Sequence, residues 1–308
     1  MKIGIIGLGT VGSAVATAVH NTGLVREMVL IDNDPMRARS AAEDLGHAAT
    51  FGFDINIREG GYRDLKDAEI VIIAAGQNQK TGQTRTDLLN SNSDVFRDII
   101  PKLMEVADKN IKLIIVTNPL DVMVMLATEL SGLPAGRIIG TGTMLDSARL
   151  RALLSRQFSV SPASINAYVL GEHGDTSVIN WSAAMIGNLP IAEFAKQTEN
   201  TITERTRDTI EHRVKSAAYE IIKGRTATWD GIGAATVDLV RCIAEDARRI
   251  LTVSSVANKI LNQPVALSLP RIVGASGVVQ TLIPHLDAAE TRELKKSAMV
   301  IKKNFDEI

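Results

Sequence analysis

The sequence predicts an α/β fold in which a doubly wound parallel sheet is followed by a second, α+β domain. Short apolar runs rich in β-branched residues alternate with helical patterns through the first half of the chain. This alternation is typical of parallel strands that crossover helices cover on both faces. Beyond about residue 140 the pattern changes to long helices, then strands and a last helix. We therefore predict domains at 1–140 and 141–308.

The elements can be assigned in chain order. Strands are predicted at 2–6, 28–31, 55–57, 70–74, 112–116 and 138–139, and helices between them at 11–21, 35–45, 87–108 and 120–130. In the second half, helices are predicted at 145–156, 201–223, 230–251 and 287–305, and strands at 165–170, 252–257, 266–273 and 278–282. No flexible linker separates the halves, so a cleft between them is the expected place for a small-molecule site.

Composition excludes several classes of function. A chain of 308 residues with 45% hydrophobic content can bury more than one core, and its net charge of −1 gives no bulk attraction to nucleic acid or an anionic membrane. The single cysteine, Cys242, allows neither an internal disulfide nor a cysteine-rich metal site. No apolar stretch approaches the roughly 18 residues of a membrane span. We expect a cytoplasmic protein with no metal, no nucleic-acid partner and no membrane partner.

A glycine-rich turn follows the first strand and opens the first helix. Gly7, Gly9 and Gly12 form a G-x-G-x-x-G pattern, with Thr10 and Val11 between the second and third glycines. Such a turn brings backbone amides to a pyrophosphate and is the signature of a Rossmann-type domain. Asp32 ends the second strand twenty residues after Gly12, where a carboxylate would hold a ribose diol.

The residue after Asp32 bears on which dinucleotide would bind. Asn33 stands there rather than an arginine, so nothing obvious in this stretch would bind a 2′-phosphate. The sequence therefore favours NAD over NADP. The alternative is a glycine turn in a similar domain that binds another ligand or none.

A histidine framed by glycines and carboxylates is the most informative feature of the second half. His173 follows an apolar run, which presents one imidazole at the end of a strand. Asp146 and Arg149, three residues apart on a predicted helix, can project to one side. A carboxylate can fix the tautomer of an imidazole, and a guanidinium matches a substrate carboxylate bidentately. Taken singly, these residues are equally consistent with a surface-loop histidine and a solvated ion pair.

Together, these segments carry a family resemblance over nearly the whole chain. Their order and spacing resemble those of the L-lactate and malate dehydrogenase family, and within it the bacterial L-lactate and L-2-hydroxyisocaproate dehydrogenases. The segments are the glycine turn at 7–12, Asp32, Ala75-Gly76-Gln77-Asn78-Gln79-Lys80-Thr81-Gly82-Gln83-Thr84-Arg85, Thr117-Asn118-Pro119-Leu120-Asp121, Leu145-Asp146-Ser147-Ala148-Arg149 and Gly171-Glu172-His173-Gly174-Asp175.

The resemblance implies an NAD-dependent dehydrogenase and assigns roles to single residues. His173 would exchange the proton of the substrate hydroxyl, and Asp146 would orient it. Arg85, on a loop that closes over the site, would polarise the substrate carbonyl. Arg149 would hold the substrate carboxylate, and Asn118 would hydrogen-bond the reacting oxygen.

The same resemblance places Thr228 at the edge of the substrate pocket. It also adds Ala75, Gly76 and Asn118 to the residues around the cofactor. Homotetramers or homodimers are expected from the relatives.

Gln79 stands where malate-specific members of the family carry arginine. A glutamine cannot neutralise a second buried carboxylate, so a small 2-oxo or 2-hydroxy monocarboxylic acid is the expected substrate. Departures from the family pattern at Thr226 and Asp230 are compatible with a pocket widened for branched or aromatic side chains, and equally with no effect. Malate dehydrogenase remains the alternative enzyme, and a catalytically silent NAD-binding protein the alternative of another class.

Overall fold

The computed structural model describes residues 1–77, 85–225 and 227–308, without the side chains of residues 85 and 86. It confirms the α/β class and the doubly wound arrangement. Within the described residues, a nine-stranded sheet is the largest element of the fold. Its first six strands in sequence pair in parallel, and helices cover both faces.

The first half of the chain has a regular β-α alternation. Strands β1 to β6 are Lys2–Ile6, Glu27–Ile31, Asn56–Glu59, Ile70–Ile73, Lys112–Ile115 and Ile138–Gly140. Helices α1 to α4 are Thr10–His20, Pro35–Ala49, Arg85–Met104 and Leu120–Ser131. Local chemistry fixes the start of α2: the carboxylate of Asp34 accepts the Met36 N–H at 3.1 Å, and Pro35 occupies the first helical position.

The second half adds short strands, three long strands and five helices to the described structure. Strands β7 to β11 are Ile165–Asn166, Val169–Leu170, Val178–Ile179, Met185–Ile186 and Leu189–Pro190. Strands β12 to β14 are Arg249–Ala257, Val265–Gly274 and Gly277–Thr281. Helices α5 to α9 are Met144–Phe158, Ile191–Gln197, Glu204–Gly224, Asp230–Ala244 and Ala288–Asp306.

The strands of the large sheet lie in the order β14-β13-β12-β6-β5-β4-β1-β2-β3, which creates a crevice at the carboxyl end of β1. Strand β1 lies between β2 and β4, and the chain turns to opposite faces of the sheet after neighbouring strands. In open α/β sheets, ligands bind where the order reverses in this way.

The sheet also continues beyond the first half, because Ser254 of β12 pairs antiparallel with Gly140 of β6. The division at residue 140 therefore stays a prediction.

An apolar layer covers each face of the sheet, as the continuous apolar runs of its strands predict. In β4, Val71 and Ile73 belong to the layer under α3, α4 and α9, and Ile70 and Ile72 belong to the layer under α1 and α8. A strand buried on both faces reads as a continuous apolar run for this reason. A third apolar cluster lies among α5, α6 and α7. In the described part of the chain, no helix is long and apolar enough to cross a membrane.

Two sequence-based element assignments are wrong in detail. The helix predicted at 230–251 ends at Ala244, and β12 already begins at Arg249. Asp246 and Arg248, with φ of 46° and 49°, turn the chain out of the helix, and the β-branched residues that follow pair with β13. The helix predicted at 87–108 also ends early, at Met104. The strands predicted at 165–170 are present as two short strands that pair with different partners.

Candidate active site

The glycine turn at the end of β1 is shaped by close backbone approaches. Gly7 has φ of +92°, and a Cβ there would lie 2.4 Å from the backbone of Ala75. A Cβ at Gly12 would lie 1.8 Å from the carbonyl oxygen of Gly7, so only glycine lets α1 begin so close to the strand. A Cβ at Gly9 would meet nothing within 4 Å. The fold itself therefore does not require glycine at position 9, and the absence of a side chain there leaves space for a ligand at the turn.

The N-terminus of α1 is open toward this turn. No side chain caps the helix and no acidic residue lies in its first turn. The first helical hydrogen bond is made by the Ser13 N–H, to Gly9 O at 2.9 Å. The N–H groups of Thr10, Val11 and Gly12 are thus the donors that a helix start leaves for an anion.

A groove of about 810 Å³ runs across the carboxyl ends of β1, β2, β4 and β5. All of the residues that the sequence assigned to the cofactor line it, except Gly12, which packs behind Gly7. Those lining residues are Gly7, Gly9, Thr10, Val11, Asp32, Ala75, Gly76 and Asn118. The groove has the open helix N-terminus and the acidic end that a dinucleotide site requires.

Asp32 forms the acidic end of the groove, and its side chain is only 4% exposed. Its Oδ2 accepts the Leu8 N–H at 2.6 Å, which ties β2 to the glycine turn. Its Oδ1 accepts the Asp34 N–H at 3.0 Å and an N–H of Arg37 at 3.3 Å. Arg37 also lines the groove, and the sequence analysis, which considered only position 33, missed this guanidinium.

His173, Asp146 and Arg149 meet in one cluster. Asp146 Oδ2 lies 2.6 Å from His173 Nδ1, and Asp146 Oδ1 accepts an N–H of Arg149 at 2.9 Å. Helix α5 supplies both Asp146 and Arg149, and the loop after β8 supplies His173. Among the described residues, His173 Nε2 and the remaining N–H groups of Arg149 have no hydrogen-bond partner, so both side chains keep donors for a ligand.

The electrostatics of the cluster favour a protonated imidazole. Burial lowers the pKa of His173, but the charge and hydrogen bond of Asp146, with a contribution from the charge of Asp121, outweigh it, so the net pKa is raised above 6.5. Burial acts on Asp146 in the opposite sense, yet His173 and Arg149 hold the pKa of this carboxyl below its usual value. The raised pKa of His173 and the lowered pKa of Asp146 both favour an imidazolium beside a carboxylate.

A second carboxylate contacts the main chain of His173, and the sequence analysis gave it no role. Asp121 Oδ2 accepts the His173 N–H at 2.8 Å, and Asp121 Oδ1 accepts the hydroxyl of Ser254 at 2.5 Å. The side chain is buried in the first turn of α4. A signal was available: an aspartate interrupts the otherwise apolar start of this helix, Leu120-Asp121-Val122-Met123.

Asn92 of α3 is hydrogen-bonded to the segments that follow β4 and β5, both of which line the groove. Its Oδ1 accepts the Gln77 N–H at 2.7 Å, and its Nδ2 donates to Asn118 O at 2.7 Å. Asn118 is exposed toward the groove, and Asp121 follows it by three residues, in the first turn of α4. The histidine loop is therefore tied, through Asp121, to the end of the groove where Asn118 lies.

The remaining sequence-based assignments are Thr228, which the structure describes, and three others that it does not describe. Thr228 is half-buried between α7 and α8, next to Ala227, which lines the groove. The guanidinium of Arg225 stacks 3.8 Å from the ring centroid of Trp229 and holds this segment from both sides of Thr228. Gln79, the side chain of Arg85, and Thr226 lie outside the described residues.

Similarity to known proteins extends over the whole chain. Residues 1–140 match the family model described as lactate/malate dehydrogenase, NAD binding domain, and residues 143–308 match the one described as lactate/malate dehydrogenase, alpha/beta C-terminal domain. L-lactate dehydrogenases of Allorhizobium ampelinum and Thermus aquaticus are each 46% identical over 303 residues, which cover 98% of this chain and 97% of theirs.

Solved structures give the same relationship. A lactate dehydrogenase from a Medee basin deep-sea metagenome library superposes with a TM-score of 0.95 at 37% identity, covering 99% of this chain and 98% of its own. The minor L-lactate dehydrogenase of Enterococcus mundtii superposes with a TM-score of 0.95 at 34% identity, covering 100% of this chain and 98% of its own.

Proposed function

The chain belongs to the lactate/malate dehydrogenase family, and from this premise we propose that it is an NAD-dependent L-lactate dehydrogenase, which interconverts L-lactate and pyruvate. The first domain of the family binds NAD, and the enzyme class is an oxidoreductase. The observation that carries the proposal is the cluster of His173, Asp146 and Arg149, which combines a proton donor with a carboxylate-binding group.

His173 acts as the proton donor in pyruvate reduction and as the acceptor in lactate oxidation. Its Nδ1 is engaged by Asp146 at 2.6 Å, which leaves Nε2 to face the substrate oxygen. As negative charge develops on the carbonyl oxygen during reduction, an imidazolium stabilises it and then gives up its proton. NADH, when bound, supplies the hydride to carbon 2.

Arg149 binds the substrate carboxylate. One of its N–H groups is fixed on Asp146 at 2.9 Å, and its side chain is 15% exposed, so the planar fork is held in a defined orientation. Asn118 donates a hydrogen bond to the reacting oxygen, and Thr228 borders the pocket. The role of Arg85 in polarising the carbonyl rests on its position in the family motif.

The residues of the groove fit NAD. The free N–H groups at the start of α1 would hold the pyrophosphate, for which the open space at Gly9 leaves room, and the buried carboxylate of Asp32 would accept hydrogen bonds from a ribose diol. Ala75, Gly76 and Asn118, which line the groove, would lie against the nicotinamide half.

Lactate is preferred over malate on two grounds. The relatives compared above are named L-lactate dehydrogenases, and Gln79 occupies the position of the family motif at which malate-specific members carry arginine. Selectivity among monocarboxylates, including the branched 2-oxoisocaproate, depends on the segment around Thr226 and Thr228. We also propose that the protein works in the cytoplasm as a homotetramer or homodimer, as expected from its composition and its relatives.

The test is NADH oxidation by the purified protein with pyruvate, 2-oxoisocaproate, phenylpyruvate and oxaloacetate, with His173→Ala as the control. Pyruvate turnover that disappears in the control supports the proposal. A preference for oxaloacetate would overturn the interpretation of Gln79 and make the protein a malate dehydrogenase. NADH binding without turnover of any of these acids would identify a silent NAD-binding protein.

A further inference from the structure

Asp121 is a buried carboxylate that the reaction described above does not use. It is 2% exposed and lies in a helix whose neighbouring residues, 120 to 127, are all buried and otherwise apolar. Burying a carboxylate is unfavourable unless hydrogen bonds and charges compensate. Asp121 has two such bonds, from the His173 N–H and the Ser254 hydroxyl. Either bond could be made by a neutral asparagine, so the bonds alone do not account for the charge.

The charged groups around Asp121 show what its charge acts on. His173 and Glu172 belong to the loop above it, and Arg271 of β13 approaches from the sheet. The guanidinium of Arg271 is fully buried and donates to the carbonyl oxygens of Val253, Leu267 and Ser255, so its hydrogen bonds are used within the sheet. Asp121 therefore contacts His173 directly through the backbone N–H, and its charge acts on the imidazole through space. Asp146 and Arg149 face the same imidazole from α5.

The two aspartates hold different parts of the same residue. Asp146 is hydrogen-bonded to the ring of His173, and Asp121 to its backbone N–H. Asp121 also follows Asn118 by three residues, at the start of the helix that begins at the groove. A shift of Asp121 would therefore move the imidazole relative to Asn118, on the other side of the reacting oxygen.

We propose that Asp121 is a positioning residue for His173: its carboxylate fixes the histidine main chain relative to Asn118, and its negative charge supports the protonated ring. The proposal rests on the proposed function of His173 as proton donor. Burial, opposed by the two hydrogen bonds, raises the pKa of Asp121 to about 6, so the charge is present at neutral pH and disappears in mild acid.

Two substitutions separate charge from position. In Asp121→Asn, the amide oxygen can accept the His173 N–H while the amide nitrogen donates to Ser254 Oγ, so both contacts persist without the charge. In Asp121→Ala, both contacts are lost. Glu290→Gln is the matched control, because Glu290 is another buried carboxylate at a helix start that accepts a backbone N–H and a serine hydroxyl, both from Ser182, far from His173 in the chain.

The first readout is the pH profile of kcat/KM for pyruvate reduction. Asp121→Asn lowers the pH at which activity falls, and its profile converges with that of the wild type below about pH 6, where Asp121 loses its charge. Asp121→Ala reduces kcat roughly tenfold or more across the range, because the imidazole is displaced. Glu290→Gln keeps the wild-type profile. An unchanged profile in Asp121→Asn, or a wild-type kcat in folded Asp121→Ala, overturns the proposal.

The second readout needs neither cofactor nor turnover. Diethyl pyrocarbonate modifies neutral imidazole, and peptide mass spectrometry resolves the modification of His173 from that of the other histidines. Near pH 7, His173 in Asp121→Asn reacts faster than in the wild type, since less of it is protonated. Equal rates contradict the proposal. If the wild type reduces no 2-oxo acid, the proposed function fails, but this rate still decides whether Asp121 acts on His173.

Discussion

The 2.6 Å contact between Asp146 Oδ2 and His173 Nδ1 joins a carboxylate from the first turn of α5 to an imidazole from the loop after β8. The same carboxylate accepts Arg149 through its other oxygen. One side chain therefore sets the orientation of both the proposed proton donor and the proposed carboxylate-binding group. A single buried aspartate thus fixes the position of the imidazole relative to the guanidinium.

Asp146→Asn is expected to abolish most of the activity while the protein stays folded. The amide cannot stabilise the imidazolium, and it can present an N–H to Nδ1, which favours the wrong tautomer. By comparison with other aspartate-histidine pairs, kcat should fall by about two to four orders of magnitude. The measurement is steady-state pyruvate reduction, with NADH binding followed by fluorescence as the control. A variant that retains a tenth or more of the wild-type kcat would contradict this role of Asp146.

The two directions of the reaction should depend on pH in opposite ways. Reduction needs protonated His173, and the pKa of His173 is raised above 6.5 by Asp146 and Asp121 against the effect of burial. Consequently kcat/KM for pyruvate is high below the raised pKa and falls as pH increases through it, whereas kcat/KM for lactate rises over the same interval. Profiles from about pH 6 to about pH 9 with saturating cofactor test this. A reduction rate independent of pH would show that proton transfer does not involve His173.

Much of this architecture could be predicted from the sequence, because its signals are local. The apolar runs of β1 and β4, the glycine turn, and the i, i+3 pair of Asp146 and Arg149 each lie within a few residues of chain. Their meeting with His173 followed from a family resemblance rather than from spacing. The end of α8 was missed because the apolar pattern continues through Ile250 and Leu251 into β12.

What the sequence did not predict depends on tertiary contacts. Asp121 is 52 residues from His173 and 133 from Ser254, and no local pattern indicates that the three meet. Arg37 reaches Asp32 only because the chain turns into α2 between them. Asp121 and Arg37 contact His173 and Asp32, two residues that the sequence had indicated as candidates.

Gly9→Ala and Gly12→Ala should separate cofactor binding from folding. Gly9 has φ of −67° and ψ of −170°, which alanine adopts, and its Cβ would meet open space, so stability should change little. The new methyl group would occupy the space that the pyrophosphate needs, and we expect the Kd for NADH to rise roughly tenfold or more.

Gly12→Ala forces α1 away from Gly7 O and should destabilise the protein by roughly 2 kcal/mol or more. Isothermal titration and urea unfolding measure the two effects, and tight NADH binding by Gly9→Ala would contradict the assignment of the turn.

Asp32→Ser should relax the discrimination against a phosphorylated cofactor. The substitution removes the charge that repels a 2′-phosphate and releases the guanidinium of Arg37, which now lies 3.3 Å from Asp32 Oδ1. We expect the ratio of kcat/KM for NADPH to that for NADH to rise at least tenfold. Adding Arg37→Gln to Asp32→Ser should reverse the gain, and binding of 2′,5′-ADP should follow the same order without turnover. Equal affinity for 2′,5′-ADP in the single and double variants would show that Arg37 does not reach the phosphate.

The titration of Asp121 should make the protein less stable as pH rises. The pKa of this carboxyl is raised from 3.8 to about 6 in the folded state, so between these values the folded chain binds more protons than the unfolded chain. The free energy of unfolding therefore decreases as pH rises through this interval, by up to roughly 3 kcal/mol for a shift of this size. Asp121→Asn does not titrate, so its stability relative to the wild type should increase from about pH 4.5 to about pH 7.5 in urea unfolding at one protein concentration. The same two proteins, with Asp121 and with the Asp121→Asn substitution, should also be compared in a His173→Ala background, which removes the titration of the histidine. If their difference in the free energy of unfolding is independent of pH in that background, Asp121 does not titrate in this window.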